Sequence, residues 1–269
     1  CNVYILTLPT PIDKNKKPDM RILLSVTKKI SSFLKHGDLI IFESTVYPGA
    51  TIEKFKPLIE KNSNLKLYLD GKTKKKNFFH LGYSPERINP SDKKNKLVNT
   101  KKIISASSIP ALKKVKFKNE KIIKAGVHET KNIKEAESAK LLENIQRDCN
   151  ISLINEYSLV MRKLNINFEN VLNAASTKWN FVKLVPGLVG GHCLAVDPYY
   201  LSYKAKIANY VPNIILASRK LNDEFYKEIL NRIYQIGHKT KKRKLDILIM
   251  GITYKNNCPD VRNSQIFKI

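Results

Sequence analysis

The sequence contains no CxxC pair, no run of eighteen apolar residues, and no internal repeat or low-complexity tract. Its four cysteines, Cys1, Cys149, Cys193 and Cys258, lie far apart. Neither a zinc site nor a disulfide framework is therefore expected, and reduced thiols in a cytoplasmic protein are the simpler reading. Without a long apolar run, no membrane span is expected. The opening residues, CNVYILTLP, lack both an initiator Met and the basic region of a secretion signal, and they read as entry onto a strand in the middle of a protein. Acidic residues are scarce, 23 against 49 Lys and Arg, giving a formal charge of +26. The surplus is spread over nearly every expected helix and loop. Short runs such as Lys74-Lys75-Lys76 and Lys241-Lys242-Arg243-Lys244 fall in apparent connections. Aromatic residues make up 9% and do not interleave with the lysines as a single-strand groove requires, so nucleic acid is not expected as a partner. A lysine-biased, solvated surface remains, one that attracts a phosphate-bearing substrate.

With 269 residues the chain can bury one large or two smaller cores. Residues 3–8 form a short apolar run halted by Pro9-Thr10-Pro11, a strand ending in a loop. Asp19 is expected to cap a helix reaching Leu34, with Ile22, Leu23, Val26, Ile30 and Phe33 as its apolar stripe. Gly37-Asp38 ends it, residues 39–42 read as a buried strand, and Thr51 is expected to cap a second helix carrying Phe55, Leu58 and Ile59. Strand, helix, strand, loop, helix is the rhythm of a parallel α/β sheet, with Thr10 and Thr45 just beyond strand C-termini, where ligand crevices lie. Another strand is expected near residues 103–106. From 133 to 164 the positions Ala136, Ala139, Leu142, Ile145, Cys149, Leu153, Tyr157, Val160 and Leu164 suit one long helix. Residues 168–175 suit a short helix, and 209–236 another long one with Ile214, Leu221, Phe225, Ile229 and Ile233 on one side. The run LDILIMG at 245–251 reads as a buried strand opening a further βα unit. The expected fold is α/β: a partial Rossmann-like domain over 1–125, a central helical domain over 126–238, and the start of a second Rossmann-like domain over 239–269. Sheet edges left without partners are expected to be exposed.

The densest chemical signal is PGLVGGHCLAVDPYY at 186–200. Glycines before a cysteine permit tight backbone geometry and close approach of a ligand. Cys193 reads either as a buried filler or as a nucleophile; the clustered Gly190, Gly191, His192 and Asp197 favour the second. A thiolate beside an aldehyde forms a thiohemiacetal, and Asp197 is placed to orient water or accept a proton. Lys140 and Asn144, four apart on the long helix, share a face that either meets solvent or stabilises an oxyanion. Glu86 offers a carboxylate in the turn SPER. Arg219 and Asn222, one turn apart, face either a phosphate or water. Lys255 and Arg262 follow the last strand and suit anion contacts.

Seven stretches occurring in one order carry a resemblance: LPTPI at 8–12, ESTVYPG at 43–49, YSPERINP at 83–90, ESAKLLEN at 137–144, TKWNF at 177–181, residues 187–200, and ITYK at 252–255 with CPDVRNS at 258–264. Together they make the chain similar to the UDP-glucose/GDP-mannose dehydrogenase family, in its UDP-N-acetyl-D-mannosamine and -galactosamine dehydrogenase branch. The resemblance implies NAD-dependent oxidation of a UDP-N-acetyl-hexosamine from the C6 alcohol to the carboxylate, with two NAD+ consumed and a cysteine thioester formed, in surface polysaccharide synthesis. By matched motif it makes Cys193 the nucleophile, Lys140 and Asn144 the oxyanion pair, and Asp197 the aid to proton transfer, with Thr45 and Glu86 near the hydrolytic water. It puts Gly190, Gly191 and Lys255 on the substrate, joined by Arg219 and Asn222, and Pro9, Thr10, Thr45 and Arg262 on the cofactor side. A homodimer through the 209–236 region is also implied. The family's opening GxGxxG turn has no counterpart in this chain, Ala195 stands where the family has glycine, and Lys183-Leu184-Val185 replaces a Pro-Phe-Arg-like segment. An inactive or split-enzyme fragment, acting as a subunit or interaction module, is the alternative expectation.

Overall fold

The computed structural model describes residues 1–72, 76–88, 92, 94–240 and 244–269. The lysine runs at 74–76 and 241–244 and the Asn89-Pro90 end of one motif lie largely outside them. The chain divides into two compact units: Cys1–Glu143 with Tyr199–Tyr210, and Asn144–Pro198 with Val211–Ile269.

In the first unit β1 (Val3–Leu6), β2 (Leu39–Phe42) and β4 (Phe78–Tyr83) run parallel, and β3 (Lys66–Leu67) pairs parallel with the start of β4. All of β2 is buried, as a central strand of four apolar residues must be. β5 (Lys102–Ala106) lies antiparallel to β4, and β6 (Val127–Glu129) parallel to β5. The sheet is thus mixed where a parallel one is expected. A parallel return needs a crossover element, and the described part of the β4–β5 connection carries only a 3-10 turn, Leu97–Asn99. In the order β1-β2-β4-β5-β6 the edges are β1 and β6, and Ile5 on β1 stays half exposed. Helix α3 (Ile109–Glu120), capped by Ser108, presses Ala111 and Val115 onto Leu39, Ile41 and Ile104.

Two capping expectations fail here. α1 (Arg21–Ser31) starts after Met20, and Asp19, one residue earlier, accepts from the Arg21 N–H and guanidinium instead. Its inward face is Leu23, Thr27 and Ser31, while Ile22 and Phe33 are exposed. The two hydroxyls are satisfied by donating to the carbonyls of Leu23 and Thr27, so small polar residues can sit inside. Thr51 opens a single π-helical turn (Thr51–Phe55) before α2 (Lys56–Ser63), and its hydroxyl donates to Glu137 at 2.6 Å rather than capping.

His80 on β4 is buried among Tyr68, Phe78 and the Ser108 hydroxyl. Burial, helped by the charge of Lys114, holds its pKa down to about 4, against 6.5 ordinarily. The folded state therefore keeps the ring neutral while the unfolded chain protonates it, so stability present above pH 6.5 drains away as pH falls toward 4. At full shift the loss is about 3 kcal/mol. Urea midpoints measured across that window should fall for the parent and stay flatter for His80→Gln; equal slopes would refute the assignment.

α4 (Ile133–Lys163) passes from the first unit into the second. The helix is as long as expected, but only part of its apolar stripe turns inward: Ala136 and Ile145 are buried, Ala139 and Cys149 half-buried, and polar residues fill much of the buried face. Glu137, Lys140, Asn144, Asp148, Ser152, Asn155 and Ser158 are buried, whereas Leu142, Leu153, Tyr157, Val160 and Leu164 are exposed. α5 (Phe168–Ala175) matches its expected bounds. The expected 209–236 helix is instead α7 (Asn213–Glu224) and α8 (Tyr226–Thr240), parted at Phe225, while Asn209 at φ +58 closes α6 (Asp197–Ile207). α7 also turns polar residues inward, Ser218, Arg219 and Asn222, and leaves Ile214 exposed. Residues 245–250, expected as a buried strand, pair with nothing among the described residues, and Leu248 and Met250 are exposed. An apolar run becomes a buried strand only where a neighbouring ladder receives it. Among the described residues no helix is long and apolar enough to cross a membrane.

Candidate active site

In the first unit, the loops leaving the C-terminal ends of β1 and β2 are tied together: the Thr10 hydroxyl donates to the Thr45 carbonyl at 2.7 Å. Pro9 is exposed, and Thr10 and Thr45 are half-buried, at the crevice position of an open parallel sheet. Tyr200 closes the same corner by donating to the carbonyls of Thr10 and Pro11. The loop at 43–49 is held from beneath by Glu137, which accepts from the N–H groups of Gly49 (2.5 Å) and Thr51 (2.9 Å) as well as the Thr51 hydroxyl. Burial raises the Glu137 carboxyl above its usual range, against the pull of those three bonds. Tyr47, buried beside Tyr203, is pushed up to about 12 by the same loss of water. Lys140, one turn along α4 from Glu137, is buried. Glu86 is exposed at its turn and accepts from the N–H groups of Arg87 and Ile88, and Arg87 pairs with Glu143 at 2.6 Å.

The second unit holds the cysteine. Asn144 donates to the Asp197 carboxylate at 2.6 Å, with both side chains buried. Asp197 opens α6, and its N–H donates to the Cys193 carbonyl at 2.8 Å, so the thiol's residue and the carboxylate's form one turn. Cys193 is partly exposed, and none of the cysteines is bridged. Around it Gly190 and Gly191 lie against residues 254–264. A Cβ on Gly190 would stand 2.7 Å from the Asn263 carbonyl, and one on Gly191, which has φ +85, 2.8 Å from the Tyr254 ring. Glycine is thus required twice, for space and for backbone. Asn263 donates to the Gly191 carbonyl at 3.1 Å. Burial lifts the Tyr254 phenol well above its usual range, with the charges of Cys258, Asp260 and Cys193 adding to the rise. Arg262 pairs with Asp260, holding that carboxyl down to about 2, and points Nη2 at His192 Nδ1 at 3.4 Å. Lys255 is half-buried, two residues beyond Thr253.

Two expected site residues do something else. Arg219 and Asn222 are turned away from water. Arg219 is 1% exposed and pairs with buried Asp148 at 2.5 Å, and also with Asp223. Asn222 donates to the Asp148 carboxylate at 2.8 Å and accepts from Asn155 at 3.0 Å. Asp148 and Asn155, absent from the expected site, are the residues that draw them inward. Their signal was in the spacing: 144, 148 and 155 continue the helix face begun at Lys140. No cluster of three or more potential metal ligands occurs among the described residues.

Comparison with known proteins gives one consistent answer. Residues 1–118 match the NAD binding domain of the UDP-glucose/GDP-mannose dehydrogenase family, and residues 134–224 match that family's central domain. The chain is 46% identical to a UDP-N-acetyl-D-glucosamine 6-dehydrogenase of Pseudomonas aeruginosa over 274 aligned residues, and 44% identical to one of Salmonella typhi over 271. Both alignments cover 100% of the chain and 62% of the relative. Among solved structures, a UDP-D-ManNAc dehydrogenase of Pyrococcus horikoshii superposes with TM-score 0.87 at 30% identity, covering 99% of this chain and 61% of that one.

Proposed function

Since the chain belongs to the UDP-glucose/GDP-mannose dehydrogenase family, we propose that it acts in the NAD-dependent oxidation of a UDP-N-acetyl-hexosamine from the C6 alcohol to the carboxylate. The proposal concerns the whole protein, because the chain spans 62% of the length of the two curated relatives described above. The observation that carries it is the buried Asn144–Asp197 bond, joined through one turn to Cys193. In this reading residues 1–125 serve the cofactor, 126–238 the chemistry, and 239–269 begin the part that holds UDP.

Cys193 adds to the C6 aldehyde, forming a C–S bond and an alkoxide. Asn144 and Lys140 stabilise that alkoxide by donating to it. Loss of hydride leaves a thioester; water, oriented by Asp197 with Thr45 and Glu86, then breaks the C–S bond and frees the carboxylate and the thiol. NAD+, when bound, takes up one hydride in each of the two oxidations. Pro9, Thr10 and Thr45 are suited to hold it, as the tied ends of adjacent parallel strands form the crevice such a group occupies, and Arg262 is assigned to its thiol side. Gly190, Gly191 and Lys255 are assigned to the sugar nucleotide. A homodimer is the proposed assembly of the whole protein.

Relatives named for N-acetyl-D-glucosamine are 44–46% identical to this chain, and several named for N-acetyl-D-mannosamine are 30–33% identical, which makes the glucosamine nucleotide the first substrate to try. NADH formation should be followed with NAD+ and the UDP-N-acetyl derivatives of glucosamine, mannosamine and galactosamine, with UDP-glucose for comparison. Two NADH per acetylated sugar is the expected result. Folded chain that binds uridine nucleotide without turnover would favour the subunit reading, and absence of both binding and turnover would end the proposal.

A further inference from the structure

The cysteine loop is rich in glycine, at 187, 190 and 191, so an isolated segment of this kind has wide conformational freedom. Here both of its ends are gripped by buried side chains. At the front, Asn155 makes a reciprocal pair with one residue: its Oδ1 accepts from the Gly187 N–H at 2.8 Å and its Nδ2 donates to the Gly187 carbonyl at 3.1 Å. Such a pair fixes both the direction and the rotation of that residue's backbone. At the back, Arg219 donates to the carbonyl of Leu194, the residue after the thiol, at 3.4 Å. The two grips are one network, because Asp148 binds both Arg219 and Asn222, and Asn222 binds Asn155. Asp148 and Asn155 sit on α4 with Asn144, the partner of Asp197. Asn144 and Asn155 are about 16 Å apart along one rod at 1.5 Å rise per residue.

We propose that Asn155 and Arg219 are positioning residues for the Cys193 thiol, acting on the main chain at Gly187 and Leu194 so that α4 sets the thiol and its oxyanion donor together. This rests on Cys193 being the nucleophile. Neither side chain touches the reacting atoms. Releasing the loop lets Cys193 leave the N-terminal turn of α6, where its carbonyl accepts from the Val196 and Asp197 N–H groups and the helix dipole favours a thiolate.

The test is alkylation of the purified chain by iodoacetamide, read cysteine by cysteine by mass spectrometry, with Cys149 on α4 as internal reference. For Asn155→Ala and Arg219→Lys, Cys193 should alkylate roughly tenfold more slowly at neutral pH, its pH profile displaced upward by about one unit. Cys149 and the melting temperature should change little. Ser158→Ala, which removes only a bond to the Asn155 carbonyl, should leave Cys193 at the parental rate. If the alanine variant does not fold, Asn155→Asp keeps its shape and the acceptor for Gly187, and should fall between parent and alanine. Parental Cys193 kinetics in either folded Asn155 variant would overturn the proposal. Loss of fold in both would overturn it too, since the network would then support the unit and not the thiol. No turnover is needed, so a failure of the dehydrogenase reading leaves this outcome separately legible.

Discussion

Asp148→Ala is expected to destabilise the second unit by about 3 kcal/mol, the lower end of what removing one partner of a buried ion pair costs. The magnitude follows from what stays behind. Arg219 is 1% exposed, and its guanidinium cannot shed its charge by losing a proton. Asp223 still holds one edge of it, which keeps the loss from the upper end of the range. Asn222 also loses its carboxylate acceptor, so the damage spreads to Asn155 and the glycine loop. Burial already raises the Asp148 carboxyl against the pull of Arg219, which means the pair is held by geometry and mutual bonding in spite of its desolvation. Asp148→Asn keeps an acceptor for both neighbours and should lose less, about 1–2 kcal/mol. Replacing both partners, Asp148→Leu with Arg219→Met, should recover most of the loss, since apolar side chains of similar volume need no partner. Urea unfolding of the three variants decides the matter. An alanine variant within about 1 kcal/mol of the parent would show that the pair is dispensable.

That network also explains where the sequence misleads. Short buried strands announce themselves: residues 39–42 are all apolar, and Ile103 and Ile104 begin a second such run, because both faces of the sheet are covered, and the structure places strands there. Helix α5 is legible to the residue, with Asn167 capping it. The orientation of α4 is not. Of the stripe that hydrophobicity assigns to a core, Ala136 and Ile145 are buried, yet Leu142, Leu153, Tyr157, Val160 and Leu164 are exposed and seven polar residues lie on the inward face. Periodicity gives the angle between the two faces and not the choice of which turns inward. Polar side chains can take the inner face when they bond to one another, and Asp148, Arg219, Asn222 and Asn155 do so through contacts far apart in sequence. The same reason hides the true environment of Arg219, which as a lone arginine on a helix suits a phosphate equally well. Cys193, Asn144 and Asp197 stand out because their residue types and order are unusual, and the structure joins them through the Asn144–Asp197 bond and one turn. The run at 245–250 is the opposite case: its composition is that of a strand, but pairing is a property of a neighbour.

In the proposed mechanism Cys193→Ala abolishes net oxidation, with turnover of the whole protein down on the order of 10³-fold or more, because the route through a covalent acyl-enzyme closes. Binding should be spared. Cys193 is partly exposed, and the backbone carbonyl that accepts from the Asp197 N–H is untouched by the substitution. Uridine-nucleotide affinity and melting temperature should therefore stay near parental values, separating loss of chemistry from loss of fold. Asn144→Ala should look different. Its thiol remains and should still alkylate, but the alkoxide loses a donor, and one such donor is worth about 10²- to 10³-fold in kcat. Removing it also leaves the buried Asp197 carboxylate short of a 2.6 Å bond, which the cysteine variant keeps. Should Cys193→Ala keep turnover within about tenfold of the parent, a thiol-based acyl transfer is excluded and the second oxidation must proceed through a hydrated aldehyde, with Asp197 as its base. The buried Asn144–Asp197 pair would then carry the chemistry alone, and the loop with its glycines would be a binding surface.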